Sequence, residues 1–365
     1  MAERGRSKLK VGVAMSGGVD SSMAAALLKK GGYDVVGFTL KLFDEFDPRP
    51  GYRGCCSLES VEDARRVAHV IGIPFYVLNY KKKFMEKVIE PFCESYLRGE
   101  TPNPCVECNR WIKFKFLLEQ MESLDIDRTA TGHYALKKYD DEKKIHRLYR
   151  AADRAKDQSY FLYMLTQKNL NRILFPNGRY RKSALRAMAA ALGLPVAEKP
   201  ESQDVCFALD ESYVELIEKK YAGRIRTGKI KTADGRVLGE HRGIHRYTVG
   251  QRKGLRVSAG KPLYVTRIDT ESGAVFVGGA SDALRGSFTC VDVSFVHDPP
   301  PDGAEVQVKA RYQSPFAAAR LFSAGGNSVL VRLEKPLRAV APGQSAVFYG
   351  GDELLGGGII QPDAG

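Results

Sequence analysis

The stretch Ser-Gly-Gly-Val-Asp-Ser-Ser at residues 16–22 has the composition of an anion-binding loop. It follows the apolar run Lys10–Met15 and precedes an alanine-rich helical pattern. Glycines let the backbone approach a ligand closely, serine hydroxyls donate hydrogen bonds, and a helix N-terminus presents free N–H groups. Asp20 could cap the helix or hold Mg²⁺. A capped strand-to-helix turn is the simpler alternative, but so many special residues exceed what a cap needs. We therefore predict a phosphate site, of neither the Walker A nor the dinucleotide type.

Cysteines form the second set of residues suited to chemistry. Cys105 and Cys108 are spaced Cys-x-x-Cys in a proline-containing segment, and two cations follow within five residues. Nearby cations stabilise a thiolate, which is the nucleophilic form of cysteine. Half of a zinc site completed by Cys55 and Cys56 is the alternative, although adjacent cysteines are poorly spaced for tetrahedral zinc. Cys206, taken alone, is typical of a buried apolar residue.

The elements that must position these residues alternate between short strands and helices in the first half of the chain. Candidate strands cover residues 10–15, 35–40, 75–79 and 129–133, and candidate helices cover residues 60–74, with a serine cap, and 185–192. This alternation predicts βαβ units with a parallel sheet. After about residue 210 glycine increases and hairpin signals appear, such as the turn at Asp234 and Gly235. A further break near Arg285 introduces new alternating strands, so the second half is expected to be β-rich.

Composition narrows the class of protein. The chain has 365 residues, 44% of them apolar, and no run approaches the roughly 18 apolar residues of a membrane span. Seven cysteines without a secretion signal indicate reduced thiols and a cytoplasmic location. The net charge of +13 suits a polyanion such as nucleic acid. The basic segment His241–Arg256, which includes Tyr247, could bind the phosphates of a nucleic acid backbone. The alternative is a basic surface that is simply exposed to solvent.

Seven motifs in order carry a resemblance to a known family. The first, SGGVDSS, resembles the PP-loop of the N-type ATP pyrophosphatases. The others are TPNPCVECNRWIKF, ATGHYA, KDQSYFLYML, ESQDVCF, HRYTVGQRKGL and ARYQSP. Together they resemble the bacterial tRNA-specific 2-thiouridylase family (MnmA/TrmU) over nearly the whole chain. The resemblance implies an α/β fold with a PP-loop catalytic domain at residues 1–210, a small β-rich central domain at 211–284 and a C-terminal β-barrel at 285–365.

The same resemblance implies ATP-dependent replacement of oxygen by sulfur at carbon 2 of the wobble uridine of tRNA. ATP with Mg²⁺ would adenylate the uracil oxygen, and a protein donor would supply the persulfide sulfur. Cys206 matches the cysteine that carries the persulfide and Cys108 its catalytic partner, with a disulfide between them after each turnover. The enzyme is expected to act as a monomer, with the wobble base flipped out to reach ATP.

The resemblance also assigns binding residues by position. The ATP site comprises Ala14, Met15, Ser16, Gly17, Gly18, Val19, Asp20, Ser21, the main chain of Leu40, and Gly132. Asn103, Pro104 and Cys105 would contact the target base. The residues that would contact the rest of the tRNA are Lys156, Asp157, Gln158, Arg311 and Tyr312. Leu40 and Gly132 end two candidate parallel strands, which is where ligands bind in open α/β sheets. For Asp157 and its neighbours, a helix cap is the structural alternative.

The sequence departs from the commoner family pattern at Cys105, where many members have aspartate. Three thiolates, from Cys105, Cys108 and Cys206, could hold a [4Fe–4S] cluster with one open iron. Two rival functions are also compatible with parts of the sequence. A small-molecule adenylating synthetase of the argininosuccinate type has no need of Cys108 or Cys206. A non-catalytic RNA-binding protein would need neither the loop serines nor these cysteines.

Overall fold

The computed structural model describes residues 8–42, 58–200, 206–207, 213–257 and 260–362. The chain forms two compact units. The first unit comprises residues 1–87 and 105–210, and the second comprises residues 88–104 and 211–365. Within the described ranges no helix is long and apolar enough to cross a bilayer.

The elements up to residue 191 include the four predicted strands and both predicted helices, together with further elements that the sequence did not predict. They are β1 (Lys10–Ala14), α1 (Val19–Lys30), β2 (Asp34–Lys41), α2 (Leu58–Ile71), β3 (Phe75–Asn79), α3 (Lys81–Phe84), a π-helical segment (Met85–Ile89), α4 (Glu90–Leu97), α5 (Pro104–Glu107), a second π-helical segment (Cys108–Phe116), α6 (Leu117–Ser123), β4 (Arg128–Thr131), β5 (Ala135–Asp140), β6 (Ile145–Arg150), α7 (Gln167–Arg172), β7 (Ile173–Leu174) and α8 (Lys182–Ala191). Short 3₁₀ turns cover Ser159–Leu162 and Pro176–Arg179.

A five-stranded parallel sheet in the order β3-β2-β1-β4-β7 forms the centre of the first unit. The inner strands are buried on both faces, and Val11, Val13 and Val35 have no exposed surface. Such continuous apolar strands are typical of parallel sheets covered by helices. Gly12 lets α6 approach β1, because a Cβ there would lie 2.4 Å from the sulfur of Met121.

Helix α1 owes its close fit against the sheet to small residues. Ala24, Ala25 and Ala26 are buried together with Met23, in one core with residues of α2 and α8. Gly32, with φ of +85°, makes the left-handed turn that leads from α1 into β2. The loop that joins β1 to α1 is thereby held between a central strand and a buried helix.

The second unit is rich in β structure, as expected. Its remaining elements are α9 (Tyr213–Tyr221), β8 (Gly228–Thr232), β9 (Val237–His241), β10 (Tyr264–Asp269), β11 (Ala274–Gly278), β12 (Leu284–Phe295), β13 (Ala304–Lys309), β14 (Ala317–Ser323), β15 (Val329–Arg338), β16 (Ser345–Gly350) and β17 (Glu353–Ile360). A four-stranded sheet has the order β10-β11-β8-β9. Six strands in the order β12-β15-β14-β13-β16-β17 close into a barrel through pairing of β12 with β17.

The fold class is confirmed, and some element bounds are corrected. The serine cap at Ser60 is wrong: α2 begins at Leu58, and Ser60 is buried in its first turn. The fourth strand ends at Thr131, two residues earlier than predicted. Helix α8 starts at Lys182, not at residue 185. The backbone N–H of Lys182 donates to Asp153 Oδ2 at 2.9 Å, so a side chain distant in the sequence satisfies the first N–H of the helix. The domain boundaries at 210 and 284 stay a prediction.

Candidate nucleotide and cysteine site

A cavity of about 200 Å³ opens at the carboxyl ends of β1, β2 and β4. It is lined by Ala14, Met15, Ser16, Asp20, Ser21, Phe38, Leu40, Leu42, Lys113, Thr131, Gly132, His133 and Gln158. Seven of the ten residues predicted for ATP are in this lining, and the other three, Gly17, Gly18 and Val19, belong to the same loop. The cavity lies where open α/β sheets bind their ligands. The structure therefore brings together the residues predicted for ATP around one cavity.

Two glycines allow the loop its shape. Gly17 has φ of +71°, and a Cβ there would lie 2.1 Å from the carbonyl oxygen of Ser60. Gly132 follows β4, and a Cβ there would lie 2.6 Å from the backbone nitrogen of Ser21. Both contacts are far below van der Waals distance, so only glycine fits at either position. The first turn of α1 is thus held between α2 and the end of β4.

The serines of the loop divide into two kinds. Ser16 is exposed, and its N–H donates to Ser21 Oγ at 3.0 Å. Ser21 and Ser22 both donate their hydroxyls to the carbonyl of Gly18, at 3.0 and 2.9 Å. Ser22 is fully buried and does not line the cavity. The expectation that all three serines reach phosphate is therefore wrong for Ser22, which stabilises the loop from inside.

Asp20 is held by a buried lysine. Lys182 Nζ lies 2.6 Å from each carboxylate oxygen of Asp20, and the hydroxyl of Tyr134 donates to Oδ1 at 2.6 Å. The Lys182 side chain is 8% exposed and that of Asp20 33%. The pair places a balanced charge at the rim of the phosphate loop, and both carboxylate oxygens of Asp20 already accept hydrogen bonds.

Asn177 joins the two backbone segments that form the cavity edge. Its fully buried side chain donates to the carbonyl of Asp20 at 2.8 Å and to that of Gly132 at 3.0 Å. One amide group therefore fixes the start of α1 relative to the turn after β4.

His133 is a neutral wall of the cavity. Its Nδ1 lies 2.7 Å from the hydroxyl of Thr131, and its ring contacts Phe114 and Phe175 at centroid distances of 5.8 and 6.2 Å. Burial, and then the neighbouring charge of Lys113, hold the pKa of His133 well below its usual value. A histidine that is neutral at physiological pH shapes the site and adds no charge to it.

Cys108 begins the π-helical segment that also supplies a wall of the cavity. Residues five apart are hydrogen-bonded neighbours in a π-helix, so Lys113 stands one turn beyond Cys108. Cys108 is half-buried, and Cys105 on α5 is exposed. Asn109 anchors the segment because its Nδ2 donates to the carbonyl of Phe161 at 2.9 Å. The predicted catalytic thiol is therefore on an element that reaches the cavity.

Cys206 is half-buried, and its neighbour Phe207 contacts the ring of Phe84 at 6.0 Å. In the described residues no group of three or more histidine, cysteine or acidic side chains could hold a metal ion. The three-cysteine ligand set is therefore not assembled here. The proposed zinc partners Cys55 and Cys56 lie outside the described residues.

Two buried cysteines behave as structural residues. Burial raises the pKa of Cys93 to about 11 and also raises that of Cys290.

The residues predicted to contact tRNA near position 157 are engaged within the fold. Asp157 Oδ1 accepts from the N–H groups of Ala151 and Ser159, but the N-cap residue of the short 3₁₀ turn Ser159–Leu162 is Gln158, which makes no side-chain cap hydrogen bond, so the helix-cap alternative is not realised. Gln158 Oε1 accepts from the N–H of Tyr134 at 3.0 Å, and the residue lines the cavity. Lys156 is half-buried. The tRNA role of these residues stays a prediction.

The other predicted tRNA residues belong to different parts of the chain. Arg311 donates to the carbonyl of Val249 at 2.8 Å, and Lys309 Nζ lies 5.6 Å from the ring centroid of Tyr312. Asn103 is half-buried just before α5, which Pro104 begins.

Lys182, Tyr134 and Asn177 are site residues that the sequence did not predict. Each is far from the loop in sequence, and no local pattern indicates that their side chains meet at Asp20.

Three family models match successive parts of the chain. One family model, described as a tRNA methyl transferase HUP domain, matches residues 9–210. A tRNA methyl transferase PRC-barrel domain matches 217–279, and an aminomethyltransferase beta-barrel domain matches 285–360.

Relatives cover nearly the whole chain. The tRNA-specific 2-thiouridylase MnmA of Moorella thermoacetica is 48% identical over 351 residues, which is 96% of this chain and 98% of the relative. The 2-thiouridylase MnmA of Acetivibrio thermocellus is 47% identical over 358 residues, which is 97% of this chain and 100% of the relative. The chain belongs to the tRNA-specific 2-thiouridylase family. The 2-thiouridylase of Chloroflexus aurantiacus, 47% identical over 95% of this chain and 97% of its own length, extends the same relationship.

Among solved structures, a 4-thiouridine synthetase–RNA complex with bound ATP aligns with 59% of this chain and 51% of the other. Its TM-score of 0.35 and identity of 15% are too low to support an argument about activity. Membership of the 2-thiouridylase family rests on the sequence relatives.

Proposed function

We propose that this chain is an ATP-dependent tRNA-uridine 2-sulfurtransferase. The observation that carries the proposal is the shared wall of the cavity: the phosphate loop and the Cys108 segment, through Lys113, line the same space. An ATP site and a thiol on neighbouring elements suit a reaction that activates an oxygen and then replaces it with sulfur.

Adenylation is the first step because the uracil carbonyl oxygen is a poor leaving group. The first turn of α1, with Gly17, Gly18 and Ser16, would hold the departing pyrophosphate, and the end of β2 at Leu40 would take the nucleoside part. The carbon-2 oxygen attacks the α-phosphorus, pyrophosphate leaves, and the base carries AMP. Lys113, on the cavity wall, supplies a positive charge near the phosphates.

Sulfur transfer is the second step. A persulfide on Cys206 attacks carbon 2 through its terminal sulfur, and AMP leaves. The thiolate of Cys108 then attacks the inner sulfur, which breaks the sulfur–sulfur bond and leaves the outer sulfur on the base. A Cys108–Cys206 disulfide forms, so an external thiol must reduce it before the next turnover. Water must be excluded, because it would return the adenylated base to uridine.

Two inorganic groups fit these residues poorly. Among the described residues that line the cavity, Asp20 is the only acidic one, and Lys182 already balances its charge, so Mg²⁺ would enter on the phosphates of ATP. Cys105, Cys108 and Cys206 are all among the described residues, and they form no group that could hold a metal ion. No step is therefore assigned to a [4Fe–4S] cluster.

The remaining parts of the proposal concern tRNA and the cell. We assign the target base to Asn103, Pro104 and Cys105, and tRNA contacts to Lys156–Gln158 and to Arg311 and Tyr312. The central and barrel domains, at 211–284 and 285–365, would grip tRNA. The enzyme is proposed to act as a cytoplasmic monomer that receives sulfur from a persulfide-carrying protein.

The test is thiolation of a tRNA transcript by protein purified without oxygen, with ATP, a thiol reductant and either a small-molecule persulfide or sulfide as the sulfur source, while the visible spectrum is recorded. The persulfide arm is needed because sulfide alone cannot form the Cys206 persulfide without an oxidant. Wild type is compared with Cys105→Ala, Cys108→Ala and Cys206→Ala. The proposal expects colourless protein, with only Cys108 and Cys206 required. A band near 400 nm that disappears with activity in all three variants would replace it with iron–sulfur chemistry, and normal thiolation by all three would refute the cysteine roles.

Two control reactions address other functions. Replacing ATP and sulfide with S-adenosylmethionine tests the methyl transferase named in two of the family-model descriptions. Release of pyrophosphate from ATP with a small carbonyl substrate, in the absence of tRNA, would favour a small-molecule synthetase. We expect neither reaction.

A further inference from the structure

A strip of alternating aromatic rings and lysines lies on the first unit outside the ATP cavity. It comprises Tyr80, Lys83, Phe116, Trp111, Lys87 and Lys115, and we call it the Trp111 strip. Lys83 Nζ lies 4.8 Å from the ring centroid of Tyr80 and 4.4 Å from that of Phe116. The Phe116 and Trp111 centroids are 6.4 Å apart. Lys87 and Lys115 place their ammonium groups 5.2 and 4.7 Å from the Trp111 ring.

The lysines of the strip carry charge that the fold does not neutralise. Lys83, Lys87 and Lys115 are exposed, and none has a carboxylate partner in the described parts of the chain. Of the acidic residues nearby, Glu86 is 3.9 Å from Lys82, and Glu107 accepts from the Trp111 indole at 3.0 Å. Glu119 is close enough to Tyr80 to add, after burial, to the raised pKa of its hydroxyl, but within the described residues it forms no ion pair with the three lysines. Trp111 is half-buried, and its N–H is already used, so the strip offers ring surface and cations.

The position of the strip connects it with the reaction. Trp111 and Phe116 belong to the π-helical segment that begins at Cys108. Phe84, which follows Lys83, contacts the ring of Phe207 beside Cys206. The strip therefore adjoins the elements that carry both proposed catalytic cysteines.

We propose that the Trp111 strip binds the single-stranded nucleotides that flank the target base, with one base on the Trp111 ring and phosphates on Lys83, Lys87 and Lys115. Flat aromatic surface beside unpaired cations is the combination by which proteins bind single-stranded nucleic acid. An acidic protein would need the cations but not the row of rings. This inference rests on the proposed function, because it assumes an RNA substrate.

Trp111 is the only tryptophan of the chain, so the emission of the full-length protein reports on this strip directly. Titration with tRNA transcript and with an anticodon stem-loop RNA should quench that emission. Trp111→Leu should weaken RNA binding, measured by filter binding, roughly ten-fold. The triple variant Lys83→Gln, Lys87→Gln, Lys115→Gln should reduce the slope of log affinity against log salt by about 2. Three exposed lysines elsewhere on the unit, changed as Lys29→Gln, Lys30→Gln and Lys138→Gln, provide the matched control and should leave this slope closer to wild type.

The outcomes separate the inference from the proposed function. If wild type binds and thiolates tRNA but its emission and the salt slope of the Lys83 triple variant do not change, the inference is wrong and the function stands. If an acidic sulfur-carrier protein changes the emission and RNA does not, the strip is a protein-docking surface, which also overturns the inference. If tRNA is neither bound nor thiolated, both fall.

Discussion

Replacing Lys182 with methionine should loosen the phosphate loop by a predictable amount. The variant Lys182→Met keeps the length of the side chain and removes the ammonium that lies 2.6 Å from both oxygens of Asp20. Removing one partner of a fully buried ion pair costs about 3–5 kcal/mol. Asp20 is 33% exposed and keeps the hydroxyl of Tyr134, so we expect about 2 kcal/mol here. The double variant Asp20→Asn, Lys182→Met should recover most of that loss, because no charge is left unpaired.

Amide hydrogen exchange in α1 and α8 measures this change locally, which matters because two units need not unfold together. A loss of about 2 kcal/mol corresponds to roughly 30-fold faster exchange. Lys199→Met is the control. Lys199 Nζ lies 2.5 Å from Asp63 Oδ2, and neither residue lines the cavity. Asp63 keeps Arg66 as a partner when Lys199 is replaced. Exchange in α1 that matches wild type, or a double variant that exchanges as fast as Lys182→Met, would refute the charge-pair argument.

Three further predictions can be checked separately. Gly132→Ala should raise the KM for ATP roughly ten- to hundred-fold, because the alanine methyl group would lie 2.6 Å from the first turn of α1. Gly286→Ala, whose methyl group would enter open space, should leave the KM unchanged, and equal KM values for the two variants would contradict the prediction. Iodoacetamide at about pH 8 should modify exposed Cys105 before Cys93, whose pKa is raised by burial to about 11, and mass spectrometry of the native protein should show that order. Because the pKa of His133 is lowered in the folded state, below about pH 6.5 the unfolded chain binds a proton at His133 and the folded chain does not, so stability falls as pH falls. His133→Gln should therefore reduce the decrease in Tm between neutral and acidic pH. An unchanged decrease would refute the assignment.

The sequence predicted those features of the fold that depend on neighbouring residues. Strand β3 has the predicted bounds, and β1 ends one residue early, because apolar runs and flanking turns specify short buried strands. The loop at residues 16–22 was predictable for the same reason, since its glycines and serines act within one turn. The start of α8 was not, because its cap comes from Asp153, 29 residues away.

The contacts that complete the site could not be predicted because they join distant segments. Tyr134, Asn177 and Lys182 reach Asp20 across 114, 157 and 162 residues. The π-helical register of the Cys108 segment is equally hidden, because its residue types suit an α-helix as well. It nevertheless determines that Lys113 stands one turn beyond Cys108.

Helix α4 lies between two stretches of the first unit in the sequence, yet it belongs to the second unit. Its buried Phe92 and Tyr96 contact Tyr213, with centroid distances of 6.2 and 4.3 Å, and Glu94 pairs with Arg224. On the ribosome, α4 therefore emerges more than a hundred residues before its partners and must wait with its aromatic side chains uncovered. For the same reason, a fragment cut at residue 210 would separate α4 from α9, so neither half of the gene encodes a complete folding unit.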